Sequence, residues 1–240
     1  MMASAARERA AFFQAAGYLR LPGLLPLEQV DRMRAVACGI GPEAGGGPAR
    51  WSAERTRVDS VVSYDPVFWE AATFPALLDA AELVLGANVE LVENRHNHVS
   101  VYRAPGSDRL HRDILQWSRS LLTVLVYMSD CTRVEAATRV VPGSHLWPCG
   151  GAPNNGGTWL DESPYAQLTE QAVPLPARSG DAVLMNGQLY HAGAGASADG
   201  PRVVLTLAFR SVDELAEGEP ARCRLVRGQR IYRGRGAVRV

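Results

Sequence analysis

Between residues 89 and 210 the chain is a succession of short runs rich in Val, Leu, Thr and Tyr, broken by Pro-Gly, Gly-Asp and Asn-Gly pairs. β-Branched and aromatic residues favour extended backbone, and the breakers supply closely spaced turns, so this texture points to an all-β barrel or sandwich. It predicts strands over 96–103, 108–113, 120–128, 137–141, 182–186, 188–192 and 202–210. The 240 residues, 47% of them hydrophobic, are enough to bury a full core without disulfide staples.

The region before residue 89 has a different character. Ser4 to Ala16 has helical composition and stops at Gly17, and an extended Tyr18-Leu19-Arg20-Leu21 follows. A second helix starts at Pro26 with Leu27, Val30 and Met33 on one face, and a third runs from Pro75 to Gly86. Gly45-Gly46-Gly47-Pro48 marks a loop between them. The expected organisation is a single domain over 1–240: a helical N-terminal part over 1–88, a β core over 89–210 and a basic C-terminal extension over 211–240. Within the core, 146–171 is too long for a hairpin and is expected to act as a lid.

Charge removes several functional classes. The 25 basic and 25 acidic side chains cancel, so no global field draws the chain onto nucleic acid or an anionic membrane. Every basic residue is Arg, which excludes Schiff-base lysines and the phosphate-cradling lysine of a P-loop. The last twenty residues hold seven arginines and no acid, but without an aromatic-lined module they do not make nucleic acid the expected partner. No apolar run approaches the roughly 18 residues of a membrane span, and Arg7, Glu8 and Arg9 stand where a signal peptide needs apolar residues. Cys38, Cys131, Cys149 and Cys223 form no CxxC pair and are expected as buried free thiols. These features suggest a cytoplasmic protein with a small-molecule partner; the oligomeric state is not legible.

The chemistry concentrates in His111, Asp113 and His191. On a strand, residues two apart project to one face, so His111 and Asp113 can reach one ion, and His191, at the end of a later apolar strand, can bring a second imidazole. Two imidazoles and one carboxylate form the facial triad of non-haem iron oxygenases. By itself an HxD triplet is a weak signal, since a strand-end histidine beside an aspartate is more often a structural pair. Arg202, on a strand returning eleven residues after His191, strengthens it by offering a guanidinium fork for a carboxylate such as the distal end of 2-oxoglutarate.

The chain resembles the phytanoyl-CoA dioxygenase family of iron(II)- and 2-oxoglutarate-dependent oxygenases. The resemblance runs through Phe13 to Gly23 with Leu24-Leu25-Pro26, Tyr102-Arg103-Ala104-Pro105-Gly106, Leu110-His111-Arg112-Asp113 and Thr138-Arg139-Val140-Val141-Pro142-Gly143-Ser144-His145, and closes on His191 and Arg202. It implies a double-stranded β-helix (a cupin-like jelly roll) with flanking N-terminal α-helices. It also implies iron held by His111, Asp113 and His191, and 2-oxoglutarate held by Arg202 and Thr138, with O2 as the second cosubstrate. The implied activity is oxidation, by hydroxylation, of an unactivated C–H bond in a small organic molecule of the kind made in secondary metabolism. Two departures stand out: Glu135-Ala136 replaces a common Asn-Gly, and Gly193 stands where many members carry a hydroxyl. Retention of Asp113 separates the chain from halogenating relatives and leaves hydroxylase, desaturase, cyclase and epimerase chemistry open.

Further candidates are Asn97 and Arg109 for the cosubstrate, and Trp117, Trp147 and Trp159 for the substrate. His96 and His98 read as strand polar packing, and His145 as a turn residue. Ser144 lacks a nucleophile elbow, and Gly193-x-Gly195-x-x-Ala198 precedes a strand where a dinucleotide site needs a helix. The competing readings are a cupin-like metal isomerase, which gives Arg202 no carboxylate to bind, and a non-catalytic small-molecule binding module, which has no use for the triad.

Overall fold

The structure is a computed structural model that describes residues 2–41, 49–106, 109–114, 121–147, 159–162, 165–212 and 222–230. Its helices are α1 (Met2–Ala16), α2 (Leu27–Cys38), α3 (Val61–Tyr64), α4 (Pro66–Ala72) and α5 (Pro75–Leu85). The strands up to the first histidine of the site are β1 (Tyr18–Leu21), β2 (Ala49–Trp51), β3 (Arg55–Asp59), β4 (Val89–Val92) and β5 (His98–Tyr102). Those beyond it are β6 (Leu122–Tyr127), β7 (Thr138–Val140), β8 (Val173–Leu175), β9 (Ala182–Asn186), β10 (His191–Ala192), β11 (Arg202–Ser211) and β12 (Cys223–Arg227).

Two antiparallel sheets face each other as a jelly roll. The larger has the order β1-β9-β6-β11-β5-β3-β2, with β4 joined to the far end of β11 and β12 to β4; the smaller is β10-β7-β8. The period of two along each strand decides what each face carries. Val99 and Val101 on β5 and Val203, Leu205 and Leu207 on β11 point outward, where Val30 and Met33 of α2, Phe68 of α4 and Leu77 of α5 cover them in one apolar cluster. The alternate residues His98, Ser100, Tyr102, Arg202, Val204 and Thr206 line the space between the sheets. Burying the outer face under helices thus assigns the polar face to the cavity.

Several expectations change in detail. The N-terminal part is not only helical, since β1, β2 and β3 join the large sheet. Leu27 is 61% exposed because it lies in the first turn of α2, whose inner face is Gln29, Val30, Met33 and Ala37. The strand expected from residue 96 begins at His98, because His96 adopts a left-handed conformation at φ 48°. The segment around His111 is one bridged residue, paired with His191 and Trp159, followed by a bend. Part of the basic C-terminal stretch forms β12, whose cations meet acids just past β4 and on α5: Arg224 pairs with Glu93 at 2.5 Å, and Arg227 with Asp79 and Glu82. Of the cysteines, Cys131 is buried, Cys38 is exposed, Cys223 is half-buried, and Cys149 lies outside the described residues. Among the described residues no helix is long and apolar enough to cross a membrane.

Candidate active site

His111 and His191 exchange backbone hydrogen bonds, each N–H donating to the other's carbonyl at 2.8 Å. The pair extends the small sheet, because His191 is also in register with Val140 of β7 and His111 bridges Trp159 on its other side. Directly opposed residues project to the same face, which brings the two imidazole centroids to 4.4 Å. Asp113 follows where its own N–H donates to the Gly187 carbonyl at 2.9 Å. Its Oδ1 stands 3.9 Å from His111 Nε2 and 3.7 Å from His191 Nε2, and one ligand atom from each of the three residues falls within 4.8 Å of the others. The same-face expectation therefore holds although the local backbone is not a regular strand.

The donor chemistry suits a divalent metal. His191 Nδ1 lies 3.0 Å from the Leu189 carbonyl and His111 Nδ1 lies 3.5 Å from the Arg109 carbonyl, so each ring keeps its proton on Nδ1 and turns an Nε2 lone pair to the common centre. Burial, reinforced by His191, pushes the His111 pKa down to about 4, which keeps that imidazole neutral and able to coordinate. Burial pushes the Asp113 carboxyl up, but His191, His96 and the Thr123 hydroxyl outweigh it and hold the group below its ordinary value, ionised. Thr123 of β6 donates to Asp113 Oδ2 at 2.6 Å.

Arg112, between the two ligands, points the other way. Its guanidinium is buried, donates to the Ser144 carbonyl at 2.7 Å and lies 4.2 Å from the centre of the Tyr190 ring. The Ser144 hydroxyl in turn accepts the Tyr190 N–H at 2.9 Å, immediately before His191. The Pro-Gly-Ser-His turn therefore ties the two ligand segments together, and His145, whose Nε2 meets the Gln14 carbonyl at 3.0 Å, anchors that turn to α1.

Arg202 enters the same cavity from β11. It is 4% exposed and donates to Thr138 Oγ1 at 3.0 Å, while Tyr127 OH meets the same oxygen at 2.7 Å. Thr138 thus sits behind the guanidinium and aims it. A Cβ on Gly193 would lie 3.6 Å from Arg202 Nη1, so this glycine keeps the approach to the guanidinium open.

The remaining sequence candidates divide. Arg109 and Trp159 line the cavity beside His111: the Trp159 ring is 5.3 Å from His111, and Arg109 stacks on it at 4.3 Å while holding Asp161 at 2.8 Å. Asn97 lies in the wall, but its amide accepts from the Val62 N–H and donates to the Glu93 carbonyl, bracing α3. Trp147 packs on Tyr165 and Tyr190, away from the cavity lining. Trp117 lies outside the described residues, as do 148–158 and 163–164 of the expected lid. Sequence reasoning missed His96, whose Nε2 stands 3.4 Å from Asp113 Oδ1, and Arg95, which donates to the Asp113 carbonyl. It also missed Thr123, Tyr127 and Arg55. The alternation of Arg55, Arg57 and Asp59 with buried Thr56 and Val58 was a readable strand signal; nothing in the sequence pairs Thr123 with Asp113.

The cavity encloses about 690 Å3. A jelly roll with two imidazoles, one carboxylate and a buried arginine converging on it defines the class of mononuclear non-haem metal enzymes. Within that class the chain belongs to the phytanoyl-CoA dioxygenase family, whose model matches residues 13–204. Among curated proteins, the dioxygenase trt7 of Aspergillus terreus is 35% identical over 72 residues, covering 30% of this chain and 21% of that protein. The multifunctional dioxygenase prhA of Penicillium brasilianum is 31% identical over 123 residues, covering 46% and 38%. The matches thus span well under half the length of these relatives. Among solved structures, the epimerase SnoN in complex with Fe3+, α-ketoglutarate and nogalamycin RO has a TM-score of 0.72 at 21% identity, over 94% of this chain and 100% of that one. HygX from Streptomyces hygroscopicus with nickel and 2-oxoglutarate bound has a TM-score of 0.63 at 20% identity, over 85% and 87%. These likenesses establish the fold.

Proposed function

We propose that this protein is an iron(II)- and 2-oxoglutarate-dependent oxygenase that oxidises an unactivated C–H bond of a small organic molecule, with hydroxylation as the outcome. The observation that carries the reading is the convergence of His111, Asp113 and His191 in the cavity that Arg202 enters. His111 Nε2, His191 Nε2 and Asp113 Oδ1 would hold the metal, and Arg202 the distal carboxylate of 2-oxoglutarate. When bound, iron and cosubstrate supply the oxidising power, O2 being reduced as 2-oxoglutarate is converted to succinate and carbon dioxide.

The chain's own residues place and protect that chemistry. Thr123, Arg95 and His96 fix the Asp113 carboxylate and its backbone, and Thr138 with Tyr127 aims Arg202. Leu125 and Val204 contribute apolar surface to the cavity lining, which helps to exclude water. HygX was solved with 2-oxoglutarate bound, and its likeness to this chain supports the same cosubstrate here. SnoN is an epimerase, and epimerisation, cyclisation or desaturation on this site would differ only in the fate of the substrate after hydrogen removal. A cytoplasmic location is supported by the free thiols of Cys38, Cys131 and Cys223 among the described residues.

Anaerobic addition of iron(II) and 2-oxoglutarate tests the reading: it predicts a visible metal-to-ligand charge-transfer band. His111→Ala, Asp113→Ala and His191→Ala should each lose the band and weaken metal binding while the far-ultraviolet circular dichroism stays native. A band of wild-type intensity in any of the three removes that residue from the ligand set.

A further inference from the structure

Among the described residues, two that are not glycine hold a left-handed backbone, Ser60 at φ 54° and His96 at φ 48°, and both line the cavity. Asn97 joins them. Its carbonyl accepts the Val61 N–H at 3.2 Å, its Oδ1 accepts the Val62 N–H at 3.1 Å, and its amide donates to the Glu93 carbonyl at 2.9 Å. The turn from Glu93 to Asn97 is therefore closed on itself and pinned to the start of α3. At positive φ the Cβ of a histidine crowds the following carbonyl, whereas glycine takes the same backbone without strain. A strained residue kept in a cavity wall directs attention to what its side chain does there.

The turn approaches Asp113 twice. Arg95 donates to its backbone carbonyl, and His96 Nε2 stands 3.4 Å from Oδ1, closer than the Nε2 atoms of His191 at 3.7 Å and His111 at 3.9 Å. His96 is nonetheless not a fourth ligand, because the donor atoms that all fall within 4.8 Å of one another belong to His111, Asp113 and His191. The tautomers separate the roles. Each ligand ring has a carbonyl at Nδ1, which leaves a lone pair on Nε2; among the described residues no carbonyl meets Nδ1 of His96. The proton of His96 is therefore free to sit on Nε2 and be donated to Oδ1, an oxygen whose second lone pair remains for a metal. With Thr123 on Oδ2 at 2.6 Å, each oxygen of the carboxylate then has its own donor from the chain.

We propose that His96 is a positioning residue for the metal, kept in a strained backbone so that its Nε2–H holds Asp113 Oδ1 toward the point where His111 and His191 converge. This deepens the oxygenase reading and rests on the metal site of that reading alone. Bracing a ligand before the metal arrives reduces the ordering that binding must supply, and outer partners of this kind govern metal affinity by roughly ten- to a hundredfold.

The test titrates the metal-free protein anaerobically with iron(II) in a calorimeter and records thermal melts of the same metal-free samples. His96→Ala removes the imidazole and keeps the strain; His96→Gly removes both. Each should bind iron(II) at least about tenfold more weakly than the wild type, and the two should agree within about twofold although His96→Gly melts higher than His96→Ala. His96→Gln, whose amide nitrogen reaches about as far as Nε2, should recover part of the affinity. Iron(II) binding in His96→Gly within about twofold of the wild type overturns the proposal, and so do affinities that follow the melting temperatures, since the backbone rather than the imidazole would then matter. If the wild type binds iron(II) but shows no charge-transfer band with 2-oxoglutarate, the oxygenase reading fails while the affinities of the variants still decide this proposal. A wild type that binds no iron(II) removes both.

Discussion

Thr123 donates its hydroxyl to Oδ2 of Asp113 at 2.6 Å, and this one bond decides which carboxylate oxygen is left for a metal. Oδ1 is the atom that faces His111 and His191, so Asp113 would offer a bound metal that one oxygen in a fixed orientation. A hydrogen bond to a charged acceptor contributes roughly 1.5–3 kcal/mol. Thr123→Val keeps the shape of the side chain and removes the donor. It is expected to weaken metal binding about tenfold or more in an anaerobic titration and to lower the melting temperature of the apo protein by several degrees, because Oδ2 is left buried without its donor. Unchanged metal affinity would mean that the backbone of Asp113, held through Gly187 and Arg95, is sufficient to orient it.

The Arg202 guanidinium is held by Thr138, so the two residues should act on the same kinetic constant. Arg202→Ala is expected to raise the KM for 2-oxoglutarate by at least about tenfold, and Arg202→Lys to recover only part, because an ammonium cannot reproduce the fork. Thr138→Val should give a smaller increase of the same kind, since it loosens the guanidinium without removing it. If Thr138→Val lowers kcat and leaves this KM unchanged, Thr138 does not act through Arg202.

His98 gives the fold an acid-sensitive point. Burial lowers its pKa from the ordinary 6.5 to about 3 in the folded chain. Between those values the unfolded chain binds a proton that the folded one does not, so stability is fully present above about pH 6.5 and is lost as pH falls toward 3. The slope is about 1.4 kcal/mol per pH unit for one such group. The metal-free protein should therefore melt at progressively lower temperature from pH 7 to pH 5, and His98→Gln should flatten that decline. Parallel profiles for the two proteins would assign the acid sensitivity elsewhere.

Gly195 lies against the loop that ends at Gly106. A Cβ there would overlap the Gly106 nitrogen and the Ala104 carbonyl, both backbone atoms that cannot swing aside. Gly195→Ala is expected to destabilise the protein by several degrees in a thermal melt, a backbone clash being among the costlier single changes. Gly193→Ala, which would meet Arg202 at ordinary contact distances, should melt close to the wild type.

The candidate ligand residues were legible because their chemistry is scarce in this chain: five histidines, of which two precede or follow turn signals at the right places. The jelly roll was legible because Val and Leu runs between turn residues leave few alternatives. What stayed hidden depends on register. Arg55 becomes a cavity residue only when β3 pairs with β5, and Thr123 reaches Asp113 only because β6 passes beside the bend that follows His111. His96 was read as strand packing, yet its left-handed backbone turns the ring onto Asp113, a conformation no local pattern announces for histidine. The arginines of β12 looked like an extension because their partners, Asp79, Glu82 and Glu93, lie more than a hundred positions earlier in the chain.

The large sheet is finished at one edge by β1, where Tyr18 faces Met185 of β9. During synthesis, β1 therefore waits for a partner near the end of the β core, a delay of roughly ten to thirty seconds at ordinary ribosomal rates. Until then Leu19 and Leu21, which end up buried, have no sheet to cover them. Productive folding is then a late, concerted closure, and β1 is a segment left open to a chaperone until it comes.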